Sequence, residues 1–436
     1  MTDPREYDLI GIGFGPANIA LAIALEEDPD TELRTVFVEK SPVPQWQENM
    51  LLGGSDIQHH PLRDLVSLRN PRSRYSFTNY LFENQRLIEH LNLPTPFPLR
   101  IEYADYISWV RRTLSAPVIY GTAVIGIEFD PETDLYTVTT SDGDLLTAPQ
   151  VSLGPGRTPL IPDEFVGTLD SRRVVHLTDY LSAAGTFDPA TDRRIGIVGG
   201  SQSAVELALD IRRRFPAIDV GIITRSWSLR AKDHSPFSEE IYFPQFTDYY
   251  HRSSKAARRR LDLFTRPTNY SAADLDVLER LYAEMYEDRL HGRSRTLIYG
   301  DSEIVAVASG PHEALTLTTR NATTGHHDEL VFDRVVLATG FRDMGGGQDD
   351  EHHHPLLGGV HRCLRSDSDG DLLVERDYSV RPVSGTAPIY LNGLCESTHG
   401  IGDAGSFSLL SLRAELIARS ILDCHDRSRA GTSASA

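Results

Sequence analysis

The chain has 436 residues, 40% of them hydrophobic and 24% charged, which fits roughly two to four domains with a sizeable buried core. Its 43 basic side chains face 62 acidic ones, and the formal net charge of −19 argues against a broad nucleic-acid or anionic-lipid surface. No apolar run reaches bilayer length and no basic, apolar leader opens the chain, so neither a transmembrane helix nor a secretory signal is expected.

The elements are predicted in chain order as follows. Tyr7-Asp8-Leu9-Ile10 is a short apolar strand, Gly11 to Pro16 a glycine turn, and Ala17 to Leu25 a helix. Thr35 to Val38 is the next strand and ends at Glu39. Residues 46–115 lose this rhythm and carry helices near 73–90 and 102–114. Alternating strands follow near 117–128 and 135–141. A second unit of the same kind begins with the strand Ile195 to Val198, the turn Gly199-Gly200-Ser201-Gln202-Ser203-Ala204 and a helix from Val205 to Arg214. Val220 to Thr224 is its next strand, with Arg225 directly after it. Residues 226–290 read as largely helical, and Val335 to Ala338 returns to buried-strand character.

The predicted fold is therefore α/β, with two Rossmann-like dinucleotide domains, the second inserted in the first, and a smaller, mostly helical substrate region. The first domain is expected over 1–190 and 334–424, with a helical substrate-contacting part at about 46–115. The second is expected over 191–333, with a helical segment at about 235–290. Met344 to Pro355 reads as a flexible surface loop and 425–436 as a disordered tail.

A glycine turn between strand and helix points backbone N–H groups at a pyrophosphate, because a Cβ would block its approach. Gly11, Gly13 and Gly15 fit that pattern, with Pro16 in place of the usual third glycine. Glu39 ends the following strand, where a carboxylate bonds a ribose hydroxyl. In the second turn Ser201 stands where a glycine is usual, and the residue after the next strand is Arg225. A cation there suits the 2′-phosphate of NADP, with Trp227 and Arg230 as nearby adenine and phosphate partners. Opposite ribose partners point to FAD at the first turn and NADPH at the second.

Beyond the turns, the chain resembles the flavin-dependent N-hydroxylating monooxygenases of the lysine/ornithine N-monooxygenase family. The resemblance runs from about residue 6 to 422. It is carried by GIGFGPANIALA (11–22), QWQENMLLGGSDIQHHPLRDLVSLRNPRSRYSFTNYL (45–81), GGSQSAVE (199–206), KDHSPFSEEIYFP (232–244), TNYS (268–271), LATGF (337–341) and THGIGD (398–403). It implies FAD, NADPH and O2 as reactants, a primary amine as substrate, and oxygen transfer through a C4a-hydroperoxyflavin. It also implies flavin contacts at Trp46 and Gln58, a segment closing the flavin site at Thr339-Gly340, and His176 and Tyr180 in a monooxygenase-type fingerprint at 174–180. Gln47 stands where the family commonly has histidine. A homotetramer is the family's usual assembly.

By the same resemblance, Arg63, Glu239 and Asn269 hold the substrate, with Asn269 touching both substrate and nicotinamide nucleotide in the catalytic centre. The family has lysine and asparagine at the first two positions. The chain has only three lysines (Lys40, Lys232 and Lys255), so Arg63 is equally an ordinary Lys→Arg exchange. Arg63 can pair bidentately with an α-carboxylate, and Glu239 favours an α-ammonium. The reacting amine, with a pKa near 10.4, must lose its proton, at a cost of about 4.6 kcal/mol at pH 7. A carboxylate beside it would raise that cost, so Arg63 and Glu239 are read as a clamp on the zwitterionic end of L-lysine or L-ornithine. His59 and His60 could instead favour aspartate, and Glu239 alone could hold a diamine.

Cys363, Cys395 and Cys424 are too scattered for a disulfide framework, a redox pair or a cysteine metal site, which fits a reducing, cytoplasmic setting. The run His352-His353-His354 sits in an acidic loop without spaced partners, and no metal is expected. The rival readings are an NADPH:flavin oxidase or reductase, which would release peroxide whatever amine is added, and a non-catalytic nucleotide-binding protein, whose flavin NADPH would not reduce.

Overall fold

The computed structural model describes residues 5–29, 32–43, 45–168, 172–309, 314–347, 349–403 and 405–434, without the side chains of 428 and 430–434. Leu9–Ile12 is wholly buried and pairs in parallel with Thr35–Glu39 on one side and Val151–Leu153 on the other. Apolar residues on both faces are what a parallel strand with two covered faces requires. Val118–Tyr120 and Ile389–Leu391 extend this first sheet, and Ser379–Val380 closes it antiparallel, six strands in all. Helix Pro16–Glu26 is buried almost all round, because it lies between this sheet and the helices Arg100–Thr113 and Leu410–Ala434.

The second sheet is entirely parallel. Its spatial order is Thr296–Tyr299, Asp219–Ile223, Arg194–Val198, Arg334–Leu337, Val174–His176. Each sheet carries an antiparallel meander. Val124–Asp130, Leu135–Thr140 and Leu145–Ala148 form one, with a turn in which Gly143 has φ +85°. Ser302–Ser309, Leu315–Asn321 and His327–Phe332 form the other.

The insertion is as expected, but its boundaries are wider than 191–333. Strands 174–176 and 334–337 both belong to the second sheet, so the crossings lie near 157 and 340. Glycine turns mark where a nucleotide unit is most visible in sequence, whereas sheet order is set by which apolar strands find each other. The two crossings run side by side: Leu160 N–H donates to Gly340 O (3.0 Å) and Arg342 N–H to Thr158 O (2.7 Å).

Two further expectations change. The stretch from Met344 to Pro355 is anchored rather than free: Met344 and His354 are buried, and Gly345 N–H donates to Glu351 O at 3.0 Å. Residue 348 lies outside the described ones. The tail read as disordered instead extends the last helix to Ala434, while 435 and 436 lie outside the described residues. A helix already nucleated by packing at residues 410–421 propagates by one backbone hydrogen bond per added residue. Among the described residues no helix is long and apolar enough to cross a membrane.

Candidate active site

Both glycine turns lie at the carboxyl ends of parallel strands, where open α/β sheets bind ligands. At the first turn the glycines have different reasons. Gly13 has φ +78°, and a Cβ there would lie 2.5 Å from Gly154 O. Gly11 faces the Phe37 ring at 2.1 Å from such a Cβ. Gly15, in contrast, has φ −81°, and a Cβ on it would meet nothing within 4 Å. The protein's own packing does not need that glycine, while a phosphate drawn to the uncapped helix beginning at Pro16 does. Glu39 accepts from Phe14 N–H (2.7 Å) and Ser41 N–H (2.9 Å), with Arg111 at 3.5 Å, and keeps acceptor capacity for a ribose hydroxyl.

Trp46 packs edge-on against Phe407 (5.5 Å between centroids) and Tyr103 (6.5 Å). Gln58 adopts φ +59°, and its Oε1 accepts from Lys232 Nζ. His59 is buried between Tyr103 and Phe407, and its Nε2 has no hydrogen-bond partner among the described residues. A buried, partnerless ring nitrogen beside Trp46 fits a polar ligand edge. These features suit a flavin dinucleotide.

At the second turn, Gly199 has φ +143° and Gly200 faces Thr224 Oγ1 at 2.4 Å from an added Cβ. Ser201 is extended (φ −102°), so no glycine is required there, and its Oγ donates to Ala272 O at 3.0 Å. Gln202 starts the helix; its N–H donates to Ala272 O and its Oε1 accepts from Asp274 N–H (2.7 Å). Ser203 follows in the first helical turn. Arg225 and Trp227 are exposed just past strand Asp219–Ile223, and Arg225 has no ion-pair partner among the described residues. An unspent guanidinium in that place fits a 2′-phosphate.

The expected substrate residues come together from three separate segments. Arg63 Nη1 lies 3.7 Å from Glu239 Oε2, and each side chain is 27% exposed. Arg63 also donates to Ser408 Oγ (3.2 Å) and lies over the Tyr242 ring, 5.3 Å from its centroid. Tyr242, whose phenol burial and then Glu239 push up to about 12, hydrogen-bonds to Thr268, the neighbour of Asn269. Residues 231–234 run beside 267–273: Lys232 N–H donates to Ala273 O (2.9 Å) and Asp233 N–H to Pro267 O (3.0 Å). Asn269 is half-buried, and its side-chain amide has no hydrogen-bond partner among the described residues.

Residues 5–343 match the family model described as L-lysine 6-monooxygenase/L-ornithine 5-monooxygenase. The chain belongs to this family. The L-ornithine N(5)-monooxygenase of Burkholderia cepacia is 38% identical over 90% of each chain. Among solved structures, the ornithine N-hydroxylase of Kutzneria sp. 744, described with reduced FAD, NADP+ and L-ornithine, superposes with a TM-score of 0.89 at 31% identity, covering 96% of this chain and all of that one. The L-lysine 6-monooxygenase of Pseudomonas syringae gives 0.85 at 34% identity, covering 96% and 99%.

Within this N-monooxygenase, the other expected residues lie near the crossing between the two sheets. Thr339 and Gly340 sit at the crossing, beside Gly199: Thr339 Oγ1 donates to Leu160 O (2.5 Å), and Gly340 O meets His176 Nε2 at 2.9 Å. His176 and Tyr180 are both engaged within the protein, Tyr180 OH donating to Asp210 at 2.8 Å. His176 thereby ties the end of strand 174–176 to the crossing, and Tyr180 ties its short helix to the helix Gln202–Arg214. Burial lowers the His59 imidazole to about 4, so it is neutral and brings no positive charge for a second carboxylate.

Sequence reasoning missed Tyr242 and Ser408, and a buried cluster beside Asn269. There Arg157 Nη1 touches Tyr270 OH (2.9 Å), Asp343 (2.9 Å) and Glu396 (3.2 Å), and Tyr270 OH donates to Glu396 (2.7 Å). Burial, then the Asp343 charge, raises Glu396 to about 8. These residues come from four distant stretches without shared spacing; only the adjacency of Asn269 and Tyr270 gave a signal.

Proposed function

We propose that this chain is an FAD- and NADPH-dependent enzyme that hydroxylates the side-chain amine of L-ornithine or L-lysine. The balance is RNH2 + O2 + NADPH + H+ giving RNHOH + H2O + NADP+, a hydroxylamine suited to hydroxamate siderophores or related natural products. The observation that carries the reading is the half-buried Arg63–Glu239 pair, joined through Tyr242 to Thr268, the neighbour of Asn269. L-Ornithine has the shorter side chain and is the substrate named for the Burkholderia cepacia relative.

The first turn (Gly11, Gly13, Gly15, Pro16) with Glu39, Trp46, Gln58 and, at the crossing, Thr339 and Gly340 would hold FAD. The second (Gly199, Gly200, Ser201, Gln202, Ser203) with Arg225 would hold NADPH. Bound reduced flavin supplies the activation of O2. The chain's own residues do the rest. Arg63 takes the α-carboxylate and Glu239 the α-ammonium, each replacing its partner by a substrate charge of the same sign. Asn269 orients the distal amine as a neutral partner, which leaves that amine free to lose its proton; a carboxylate would retain the ammonium form. Trp46, Phe407 and Tyr103 exclude water.

The test is a panel of L-ornithine, L-lysine, L-aspartate and short diamines, scored for hydroxylamine per NADPH consumed. L-Ornithine or L-lysine should be coupled, and L-aspartate, which has no side-chain amine to present to Asn269, should give no product. Diamines should show a KM at least about tenfold higher, since Arg63 loses its carboxylate. Peroxide release matching NADPH use with every amine would overturn the reading.

A further inference from the structure

The clamp residue Glu239 is itself held by a chain of polar side chains that none of the expected site residues explains. His234 Nδ1 lies 3.4 Å from Glu239 Oε1, and its Nε2 lies 2.9 Å from Asp274 Oδ1. The same Asp274 oxygen is 3.3 Å from Lys232 Nζ, whose side chain is 3% exposed and which donates to Gln58 Oε1. Asp274 N–H donates to Gln202 Oε1 at 2.7 Å. One residue therefore contacts the first residue of the second-turn helix through its backbone N–H, while its carboxylate reaches the Gln58 side through Lys232 and Glu239 through His234.

The energetics make this arrangement stiff. Lys232 is a buried cation with Asp274 as its counter-ion, and removing one member of such a pair leaves an uncompensated buried charge. Asp274 also precedes the helix Leu275–Leu290, so its backbone is fixed by the helix start. His234, 44% exposed, is held by Asp274 on one edge and presents its other nitrogen to Glu239. With one ring proton it donates to one carboxylate; with two it donates to both. Without it, the Glu239 carboxylate would keep only its 3.7 Å contact with Arg63 among the described residues.

We propose that His234, anchored by Asp274, is a positioning residue that fixes Glu239 for the substrate's α-ammonium and so sets amino-acid affinity. The proposal rests on the reading of Glu239 as half of the zwitterion clamp. Through Lys232 and Gln202 the same anchor also ties Glu239 to Gln58 and to the start of the second-turn helix.

The experiment is steady-state kinetics of the FAD-loaded enzyme with L-ornithine and L-lysine, for H234A, H234Q, E239Q and the double variant H234A/E239Q. H234A should raise the amino-acid KM about tenfold, the scale of one charge-assisted hydrogen bond, with kcat and the NADPH KM changed less than about twofold. H234Q, which keeps a polar group near the same place, should recover part of the loss. In the double variant the KM should match that of E239Q alone, because His234 acts through Glu239. An unchanged KM in H234A alongside a raised KM in E239Q would overturn the positioning role and leave the clamp standing. Losses that multiply in the double variant, or a parallel fall in kcat and NADPH affinity, would also overturn it. An unchanged KM in E239Q would instead bring down the clamp itself.

Discussion

Replacing Arg225 with alanine separates a nucleotide-recognition residue from a solvated surface arginine. Arg225 is exposed and has no ion-pair partner among the described residues, so its removal leaves no buried partner orphaned and folding stability should stay within about 0.5 kcal/mol. Charge-assisted bonds from it to a 2′-phosphate would be worth about 1.5–3 kcal/mol, or about 10- to 150-fold in affinity. NADH has no such phosphate and should lose almost nothing. The assay is the rate of flavin reduction against NADPH and NADH concentration, with Tm as the control for folding. The NADPH dissociation constant should rise toward that of NADH while the limiting rate is kept. Equal losses for both nucleotides, or a preserved preference for NADPH, would refute the 2′-phosphate assignment.

Gly15→Ala places its Cβ in open space, so the apoprotein should melt as the parent does while FAD content after purification, read at 450 nm, falls. Gly13→Ala should instead lower the apoprotein's Tm, because its Cβ would sit 2.5 Å from Gly154 O at φ +78°, and equal melting of the two variants would contradict this division. Glu396, raised from 4.5 to about 8, holds its proton in the fold where the unfolded chain has released it. Its contribution to stability is therefore complete below pH 4.5 and is lost as pH rises to about 8. The fall in Tm across that window should flatten in Glu396→Gln, and an unchanged profile would refute a proton on this carboxyl.

The two nucleotide units are legible in the residue order, because a glycine turn, its strand and its helix are contiguous and carry their own physical signature. The sequence also placed Arg63, Glu239 and Asn269 through the family resemblance, and the fold brings their segments together. It could not fix the boundaries of the insertion, since strands 174–176 and 334–337 join the second sheet by pairing across long stretches of chain. Nor could it show that His59 is neutral, because burial, which sets that, is a property of packing. The link from Gln58 through Lys232, Asp274 and His234 to Glu239 spans residues 58 to 274. Hydrogen-bond partners that distant meet only when the sheets and the helical segment are assembled, so the surroundings of Glu239 follow from packing and not from residue order.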